Sequence, residues 1–350
     1  MFQPVALLSL STASPPFRLL QTEVQAAARK VLLESFPSFD RLAPVFTTSG
    51  IRERQAVRPI GWYQRSRGWE ERAQTYLEGG VSLFVDCAAK ALDEAGLKGS
   101  QVDIIVTVSS TGIATPSLEA QAMAKMGFRS DVTRVPVFGL GCAGGVSGLG
   151  LAARLAAATP GAIVLLVVVE LCTLAFRTDD LTKADIVATA LFGDGAAACV
   201  LKAGGTGFTN VTASAQHTWP DTLDIMGWRV EATGLGVIFA RSIPEFVQGS
   251  LREAMVSMLQ RGPVAFDDVT RFICHPGGAK VIEALERALS IDQGRLDHER
   301  DVLSDHGNMS APTALFVLDR VRRHAMPDRS VLAALGPGFT ASTVTLQLAA

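Results

Sequence analysis

The chain has 350 residues, 48% of them hydrophobic, and its 32 basic and 34 acidic residues leave a formal net charge of -2. This length exceeds what one hydrophobic core usually holds, and a balanced charge without a long basic block leads us to expect no nucleic-acid partner. Five scattered cysteines without a C-x-x-C pair argue against a disulfide framework or a zinc site, which favours a reducing, cytoplasmic location.

Strand-like and helix-like apolar patterns alternate along the first half of the chain. Strands are predicted at residues 5–10, 104–108, 135–138, 163–169 and 196–201, and helices at residues 19–33, 81–95, 117–126 and 146–158. The longest apolar run, residues 162–169, is too short to cross a bilayer, and the first ten residues contain no basic signal region. We therefore expect a soluble protein with no transmembrane segment.

The second half repeats this alternation. Strands are predicted at residues 211–214, 271–274, 330–335 and 343–348, and helices at residues 244–259, 279–289 and 311–323. Such a pattern predicts an α/β fold in which helices cover a sheet. The glycine-rich stretch at residues 204–207 marks the expected boundary between two halves, residues 1–205 and 206–350.

Cys142 lies in a glycine-rich bend between a predicted strand and a predicted helix. Unpaired N–H groups and the positive end of the helix dipole favour the thiolate form at such a position. We interpret the flanking glycines as giving a substrate access to the backbone rather than as a packing feature. The stretch from Gly139 to Gly144 also matches the spacing of a dinucleotide-binding fingerprint. No acidic residue follows at about 20 residues, however, so we reject that interpretation.

Two later motifs offer partners for this thiol. His275 opens the run His275-Pro276-Gly277-Gly278, and Asn308 lies in Gly307-Asn308-Met309-Ser310. Taken alone, His275 fits a loop histidine equally well, and Asn308 fits a turn residue. Together with Cys142, the two residues form the set that acyl transfer requires.

Four segments in this order resemble type III polyketide synthases, the chalcone-synthase-like enzymes of the thiolase fold. They are Gly141-Cys142-Ala143-Gly144-Gly145, Ala190-Leu191-Phe192-Gly193-Asp194-Gly195-Ala196-Ala197, His275-Pro276-Gly277-Gly278, and Gly307-Asn308-Met309-Ser310 with the closing Gly336-Pro337-Gly338. The resemblance implies a thiolase-like layered αβαβα fold built from two duplicated halves, and a homodimer. It also implies that acyl-CoA and malonyl-CoA enter by a tunnel as substrates, and that the enzyme needs no cofactor or metal.

Both the residue types and the resemblance assign the chemistry to the same three residues. Cys142 would hold the growing acyl chain as a thioester, and His275 would form an ion pair that lowers the pKa of the thiol below about 8.5. His275 and Asn308 would donate hydrogen bonds to the oxyanion that develops when malonyl-CoA loses carbon dioxide. The predicted activity is therefore an iterative, decarboxylative condensation.

Within the family, the segments at residues 109–116, 170–176 and 226–228 resemble bacterial enzymes that make long-chain alkylpyrones and alkylresorcinols. Phe192 occupies the gatekeeper position between tunnel and cavity. Val237 stands where a second gatekeeper is usually Phe, Ala175 where a cavity-lining residue is Thr, and Thr115 where a dimer-crossing residue is Met. These smaller residues predict an enlarged pocket and a long acyl starter.

The region that binds CoA departs from the family pattern. Of three usual basic residues only Arg41 aligns, while Pro44 and Thr48 stand at the other two positions. Either Arg52 and Arg54 compensate, or an acyl carrier protein delivers the starter. Two alternatives for the whole chain stay open: a ketoacyl-ACP synthase III type of single condensation, whose histidine is typically followed by Gln-Ala-Asn, and a non-catalytic acyl-binding subunit.

Overall fold

The computed structural model describes residues 3–33, 36–178 and 181–348. The strands are β1 (Val5–Ala13), β2 (Phe17–Leu20), β3 (Glu53–Ala56), β4 (Ile104–Val108), β5 (Thr133–Val137), β6 (Val164–Leu171), β7 (Asp194–Ala203), β8 (Thr209–Thr218), β9 (Met226–Val230), β10 (Leu235–Phe239), β11 (Arg271–Cys274), β12 (Arg329–Gly336) and β13 (Thr340–Gln347). Nine of them form one mixed sheet in the order β11-β12-β13-β8-β1-β7-β6-β4-β5.

The helices follow the same chain order. They are α1 (Gln21–Leu32), α2 (Phe39–Leu42), α3 (Pro44–Thr48), α4 (Ile60–Tyr63), α5 (Trp69–Glu94), α6 (Leu118–Met126), α7 (Gly144–Ala158), α8 (Lys183–Leu191), α9 (Ile243–Leu259), α10 (Ala279–Ala288), α11 (Asp297–His306) and α12 (Thr313–His324). Among them, α7 is apolar on most of its surface because it lies in the centre of the molecule.

The layering predicted from the resemblance is confirmed. Helices α5 and α6 cover the outer face of the N-terminal strands, and α9 and α10 cover the outer face of the C-terminal strands. Helices α7 and α12 pack between them and contact strands of both halves. The result is the expected α/β arrangement of alternating helix and strand layers.

The two halves of the sheet meet where β1 pairs with β8, through the partners Val5 and Val211. The glycine-rich stretch at residues 204–207 lies in the connection from β7 to β8, where the chain passes from one half of the sheet to the other. Strands β4 and β6 are buried along their whole length, and their sequences are apolar apart from Thr107 and Glu170.

One stretch, Gly141–Ala158, has the length and apolar composition of a membrane span, but 67% of it is buried inside the fold. This stretch contains α7, whose contacts with strands on both sides account for its apolar composition. It is therefore a core helix.

Several elements were missed by the sequence patterns. The predicted helix at residues 19–33 begins as β2, because Phe17–Leu20 pairs with the distant β3. Helix α8, helix α11 and the β9–β10 hairpin were not predicted. In α11 only Glu299, Val302 and Leu303 are buried, so no apolar periodicity marks it. In α8, Thr182 and Asp185 form a capping box, a local signal that could have located the helix start.

Candidate active site

Cys142 is buried in a short turn, Gly141–Ala143, that leads directly into α7. Gly141 adopts φ +46, and a Cβ there would lie 2.7 Å from Pro337 Cδ. A Cβ on Gly145 would lie 2.2 Å from the carbonyl oxygen of Ala311. The interpretation of these glycines as substrate access alone was therefore wrong. They let the bend and α7 pack against the segments that follow Asn308 and β12.

His275 follows the last residue of β11, and its backbone N–H donates to Ala333 O at 2.8 Å. The strand is parallel to β12 and buried, so the ring is directed into the molecule from a fixed sheet edge. Both ring nitrogens are buried and have no hydrogen-bond partner among the described residues. The imidazole is therefore available to a substrate.

Asn308 is held by hydrogen bonds on every side. Its backbone N–H donates to Leu191 O at 2.8 Å, and its side-chain Oδ1 accepts from Ser310 N at 2.8 Å. Its Nδ2 donates to Gly277 O at 3.2 Å. Because Oδ1 and Nδ2 have partners of opposite kind, the amide orientation is fixed, and a donor faces the site.

The structure brings these three residues together. Cys142, His275 and Asn308 line one cavity between α9, α10 and the strands β11 and β12, here called the α9–α10 cavity. The rest of its lining is mainly apolar: Met226, Phe239, Ile243, Leu251, Met255, Cys274, Gly277, Val281, Leu285, Leu289, Ala333, Ala334, Leu335, Ala341 and Ser342. Among the described residues of this lining, His275 is the one basic side chain.

Burial dominates the protonation of the site. It raises the pKa of the Cys142 thiol to about 11, although hydrogen bonds from the side chains of Ser310 and Asn308 act in the opposite direction. Burial also lowers the pKa of His275 to about 4. Both shifts oppose the ion pair predicted from the sequence, because burial disfavours the charged form of each group when it is taken alone.

Two residues near the thiol were missed by sequence reasoning. The side chain of Ser310 forms a hydrogen bond with Cys142. Ser310 belongs to the motif Gly307-Asn308-Met309-Ser310, which was recognised in the sequence. Glu170 is fully buried at the end of β6 and accepts hydrogen bonds from Ser110 N at 3.0 Å and Thr111 Oγ1 at 2.7 Å. Burial raises the pKa of Glu170 to about 7, because these hydrogen bonds offset only part of the desolvation cost.

The predicted pocket residues Phe192, Ala175 and Val237 line a second cavity, here called the α1 cavity. Its other apolar lining residues are Leu19, Val24, Ala27, Ala28, Val31, Ile60, Phe176 and Ala188. Phe192 and Val237 also line a space at Cys142, here called the junction. Other junction residues are Gly141, Met226, Gly227, Trp228, Ile238, Phe239, Ser310 and Pro337. The Phe192 and Trp228 rings meet edge-on at 5.9 Å.

Two predicted site residues lie apart from these cavities. Thr115 is exposed before a cis peptide bond to Pro116, and Arg41 is exposed on α2. Arg54, one of the two arginines suggested to compensate for the missing basic residues, is buried rather than at the surface. Its buried guanidinium donates to the carbonyl oxygens of Thr189 and Phe192, each at 2.9 Å, at the end of α8.

Arg52 is exposed, and it pairs with Asp305 at 2.9 Å. Of the two arginines suggested to compensate for the missing CoA-binding residues, Arg52 is therefore the one at the protein surface. Among the described residues, no group of three or more His, Cys, Asp or Glu side chains is placed to hold a metal ion.

Known proteins share this arrangement of the whole chain. The family model for the N-terminal domain of chalcone and stilbene synthases matches residues 63–205, and the model for their C-terminal domain matches residues 210–349. A 1,3,6,8-tetrahydroxynaphthalene synthase of Streptomyces peucetius subsp. caesius is 38% identical over 352 residues, which cover 98% of this chain and 93% of that protein.

A putative chalcone synthase of Bacillus subtilis (strain 168) is 35% identical over 350 residues, covering 95% of this chain and 96% of that protein. The crystal structure of 1,3,6,8-tetrahydroxynaphthalene synthase from Streptomyces coelicolor A3(2), a bacterial type III polyketide synthase, superposes with a TM-score of 0.93. That pair is 28% identical, and the match covers 99% of each chain.

Proposed function

We propose a reaction for this chain on the premise that it belongs to the chalcone and stilbene synthase family and is a type III polyketide synthase. It loads a long-chain acyl group from acyl-CoA onto Cys142 and extends this group with several malonyl-CoA units. It then cyclises the chain to an alkylpyrone or an alkylresorcinol. The family membership argues against the ketoacyl-ACP synthase III alternative.

Loading begins when the Cys142 Sγ proton moves to His275, the basic side chain of the same cavity. Burial opposes each charge alone, but two opposite charges that form together in a buried site attract each other strongly. The thiolate attacks the acyl-CoA carbonyl, and a Cys142 thioester forms as the bond to the CoA sulfur breaks. The imidazolium then returns its proton to the leaving CoA thiolate.

Extension uses His275 and Asn308 as hydrogen-bond donors. When malonyl-CoA loses carbon dioxide, the electron pair moves toward the thioester oxygen, where an N–H of His275 and the Asn308 amide stabilise it. One Asn308 N–H is directed to Gly277 O, and the amide also bonds to Cys142, so it faces the reacting thioester. The enolate carbon attacks the Cys142 thioester, a carbon–carbon bond forms, and the Cys142 thiolate leaves.

A long alkyl starter is supported by one observation above all. The α1 cavity, which meets Cys142 at the junction, is walled mainly by apolar side chains. Some polar groups on its wall already have partners: Tyr63 OH bonds to Thr173 Oγ1 at 2.7 Å, and Asp185 caps α8. An alkyl chain gains up to about 0.8 kcal/mol per buried methylene, whereas a chain of ketones would bury carbonyl oxygens.

A second candidate follows from the Streptomyces peucetius relative, whose name gives 1,3,6,8-tetrahydroxynaphthalene as the product. An aromatic product with hydroxyls at alternating positions requires a chain of ketones and no alkyl starter. Arg54 and Arg177 line the α1 cavity, and each has a buried Nε–H without a partner among the described residues. Such donors suit ketone oxygens. The mostly apolar wall still favours the alkyl starter.

We also propose that two copies of the chain associate. Strand β5 lies at one edge of the nine-stranded sheet and pairs with β4. Phe138 directly follows β5 and is 62% exposed, and Ile113, in the connection that follows β4, is 64% exposed. Large exposed apolar side chains next to an unpaired edge favour an interface. Thr115 is exposed in the same connection as Ile113, which suits the role in the partner's cavity that the resemblance implies. Light scattering should give the mass of a dimer.

The reaction is tested by trapping the acyl-enzyme. Wild type and Cys142→Ala are incubated with palmitoyl-CoA alone, and the intact protein masses are measured. Wild type should gain one palmitoyl group, on the peptide that contains Cys142, and the variant should gain none. An adduct at another cysteine in the variant would overturn the choice of nucleophile. No adduct with any fatty acyl-CoA would favour a non-catalytic subunit or the second candidate.

A further inference from the structure

We propose that Arg54 is a positioning residue for decarboxylation: its guanidinium fixes the end of α8, and the end of α8 fixes Asn308 at the reacting thioester. This inference rests on the oxyanion role that the proposed function gives to Asn308. Arg54 lies on β3 and is almost completely buried. A buried arginine needs polar partners inside the fold, and these partners show what it holds in place.

The guanidinium binds the last turn of α8. Its Nη1 donates to the carbonyl oxygens of Thr189 and Phe192, each at 2.9 Å, and its Nη2 donates to Ala190 O at 2.8 Å. The last carbonyls of a helix have no partner within it and form the negative end of its dipole, so they suit a cation. Burial lowers the pKa of Arg54 to about 9, although Asp194 acts in the opposite direction. The guanidinium is therefore still charged at neutral pH.

Gln21 fixes the guanidinium in this position. Its side-chain Oε1 accepts a hydrogen bond from Arg54 Nη2. Its Nε2 donates to Ala190 O and to Phe46 O, each at 3.0 Å. Gln21 is itself buried at the start of α1. The planar fork of Arg54 therefore has one orientation, which the single nitrogen of a lysine could not reproduce.

The same end of α8 holds Asn308. Leu191 O accepts a hydrogen bond from Asn308 N at 2.8 Å, and Gly193 N donates to Asn308 O at 3.0 Å. A Cβ on Gly193 would lie 2.2 Å from His306 O, so the two backbones are in direct contact. Arg54 and Asn308 therefore bind neighbouring carbonyl groups of one helix end. A shift of that end would move the Asn308 amide away from the thioester oxygen.

The other two residues of the proposed mechanism are held elsewhere. Cys142 lies in the bend that leads into α7, and His275 N donates to Ala333 O of β12. Among the hydrogen bonds of the described residues, none joins Cys142 or His275 to residues 189–193. Loss of the Arg54 guanidinium should therefore displace the oxyanion donor and leave the nucleophile and its base in place.

Arg54→Lys tests this difference, because it keeps the charge but donates from a single nitrogen. Malonyl-CoA decarboxylation should fall by about 10–10², since a misplacement of about 1 Å can cost that much. Acylation of Cys142 by palmitoyl-CoA should keep the wild-type rate. Carbon dioxide release and intact protein mass measure the two steps. The matched control is Arg72→Lys, another buried arginine, which donates to Phe176 O at 2.8 Å, and both rates should stay unchanged.

A double variant shows whether the effect passes through Asn308. In the Asn308→Ala background, Arg54→Lys should lower decarboxylation no further, because the two residues act as one unit. A further loss there would overturn the inference and leave the proposed function intact. Unchanged decarboxylation in Arg54→Lys, or equal loss of both steps, would do the same. If Asn308→Ala itself decarboxylates malonyl-CoA at the wild-type rate, the proposed oxyanion role fails, and the inference fails with it.

Rescue by guanidinium provides a second measurement that does not require Arg54→Lys to fold. Arg54 lines the α1 cavity, so Arg54→Ala leaves a space that a guanidinium ion can enter. This variant is purified and assayed with guanidinium chloride far below the denaturing range. The ion should restore part of the decarboxylation rate, whereas tetramethylammonium chloride, which has no N–H to donate, should not. Equal rates in the two salts would overturn the inference.

Discussion

Phe192 and Asn308 form an isolated parallel bridge through their backbones. Asn308 N donates to Leu191 O at 2.8 Å, and Gly193 N donates to Asn308 O at 3.0 Å. Phe192 lies where the junction meets the α1 cavity, and Asn308 lies at the thiol. The residue that separates the two spaces and the proposed oxyanion donor are therefore fixed to each other, and a shift of one backbone displaces the other.

Asn308→Ala should separate loading from decarboxylation. Without the amide donor, malonyl-CoA decarboxylation should fall by about 10²–10³, while palmitoyl-CoA still acylates Cys142. The measurement pairs carbon dioxide release with intact protein mass. Ser310→Ala is the control, since it removes another side chain that bonds to Cys142 but has no proposed part in the oxyanion site. Equal loss of both steps in Asn308→Ala would mean that Asn308 acts through the fold or through His275.

His275→Gln should slow alkylation of Cys142 by iodoacetamide at neutral pH by about 10². Because burial raises the pKa of the thiol to about 11, the reaction depends on a base that can take its proton. His275 is that base in the α9–α10 cavity. The matched control is His306→Gln, whose ring bonds to Gln55 at 2.7 Å outside this cavity. Unchanged alkylation in His275→Gln would show that the thiolate forms without the imidazole.

Val237→Phe should shift the preferred starter toward shorter acyl-CoA. Val237 is buried and lines both the junction and the α1 cavity, so a larger ring there obstructs the path of the tail. Initial rates across an acyl-CoA series measure the shift. Leu235→Phe, on the same strand but outside the described lining of the α1 cavity, should keep the wild-type profile. If both variants keep that profile, the tail takes another route.

Glu170→Gln should change the pH dependence of stability. Burial raises the pKa of Glu170 from 4.5 to about 7, so wild type must bury a charge once the pH rises through 7. The associated stability is present below about 4.5 and is lost as the pH rises toward 7. At about 1.4 kcal/mol per pH unit, the difference of 2.5 between these values corresponds to about 3 kcal/mol.

Denaturant unfolding of wild type and Glu170→Gln at about pH 5 and pH 8 measures this effect. Between the two conditions, the variant should gain up to about 3 kcal/mol relative to wild type. The control Glu245→Gln changes an exposed carboxyl at the start of α9 and should show no such gain. A constant difference between Glu170→Gln and wild type would mean that Glu170 is already charged at about pH 5.

The strands and motifs that could be predicted are those that a short stretch of sequence specifies by itself. Strands β4 and β11 have the predicted bounds because each is a short run of mainly apolar, buried residues. The bend at Cys142, the motifs of His275 and Asn308, and the gatekeeper Phe192 could likewise be recognised as short sequences. The structure places all four around the junction and the α9–α10 cavity.

Other features of the site could not be predicted from the sequence, because they depend on contacts between distant segments. The packing role of Gly145 is set by the carbonyl of Ala311, and the burial of Arg54 is set by the carbonyls at the end of α8. The raised pKa of Cys142 also arises from tertiary burial, which no local motif records. The α1 cavity needed both α1 and the unpredicted α8 before its residues could be grouped.

The choice of starter decides which product the enzyme makes, and one competition experiment tests it. The wild-type enzyme is given palmitoyl-CoA with a fully carbon-13-labelled acyl chain together with unlabelled malonyl-CoA at equal concentration, and the product masses are measured. If the enzyme uses a long-chain starter, the dominant product should carry the whole labelled chain plus unlabelled carbons from malonyl units. A dominant product without label, built from malonyl units alone, would contradict it.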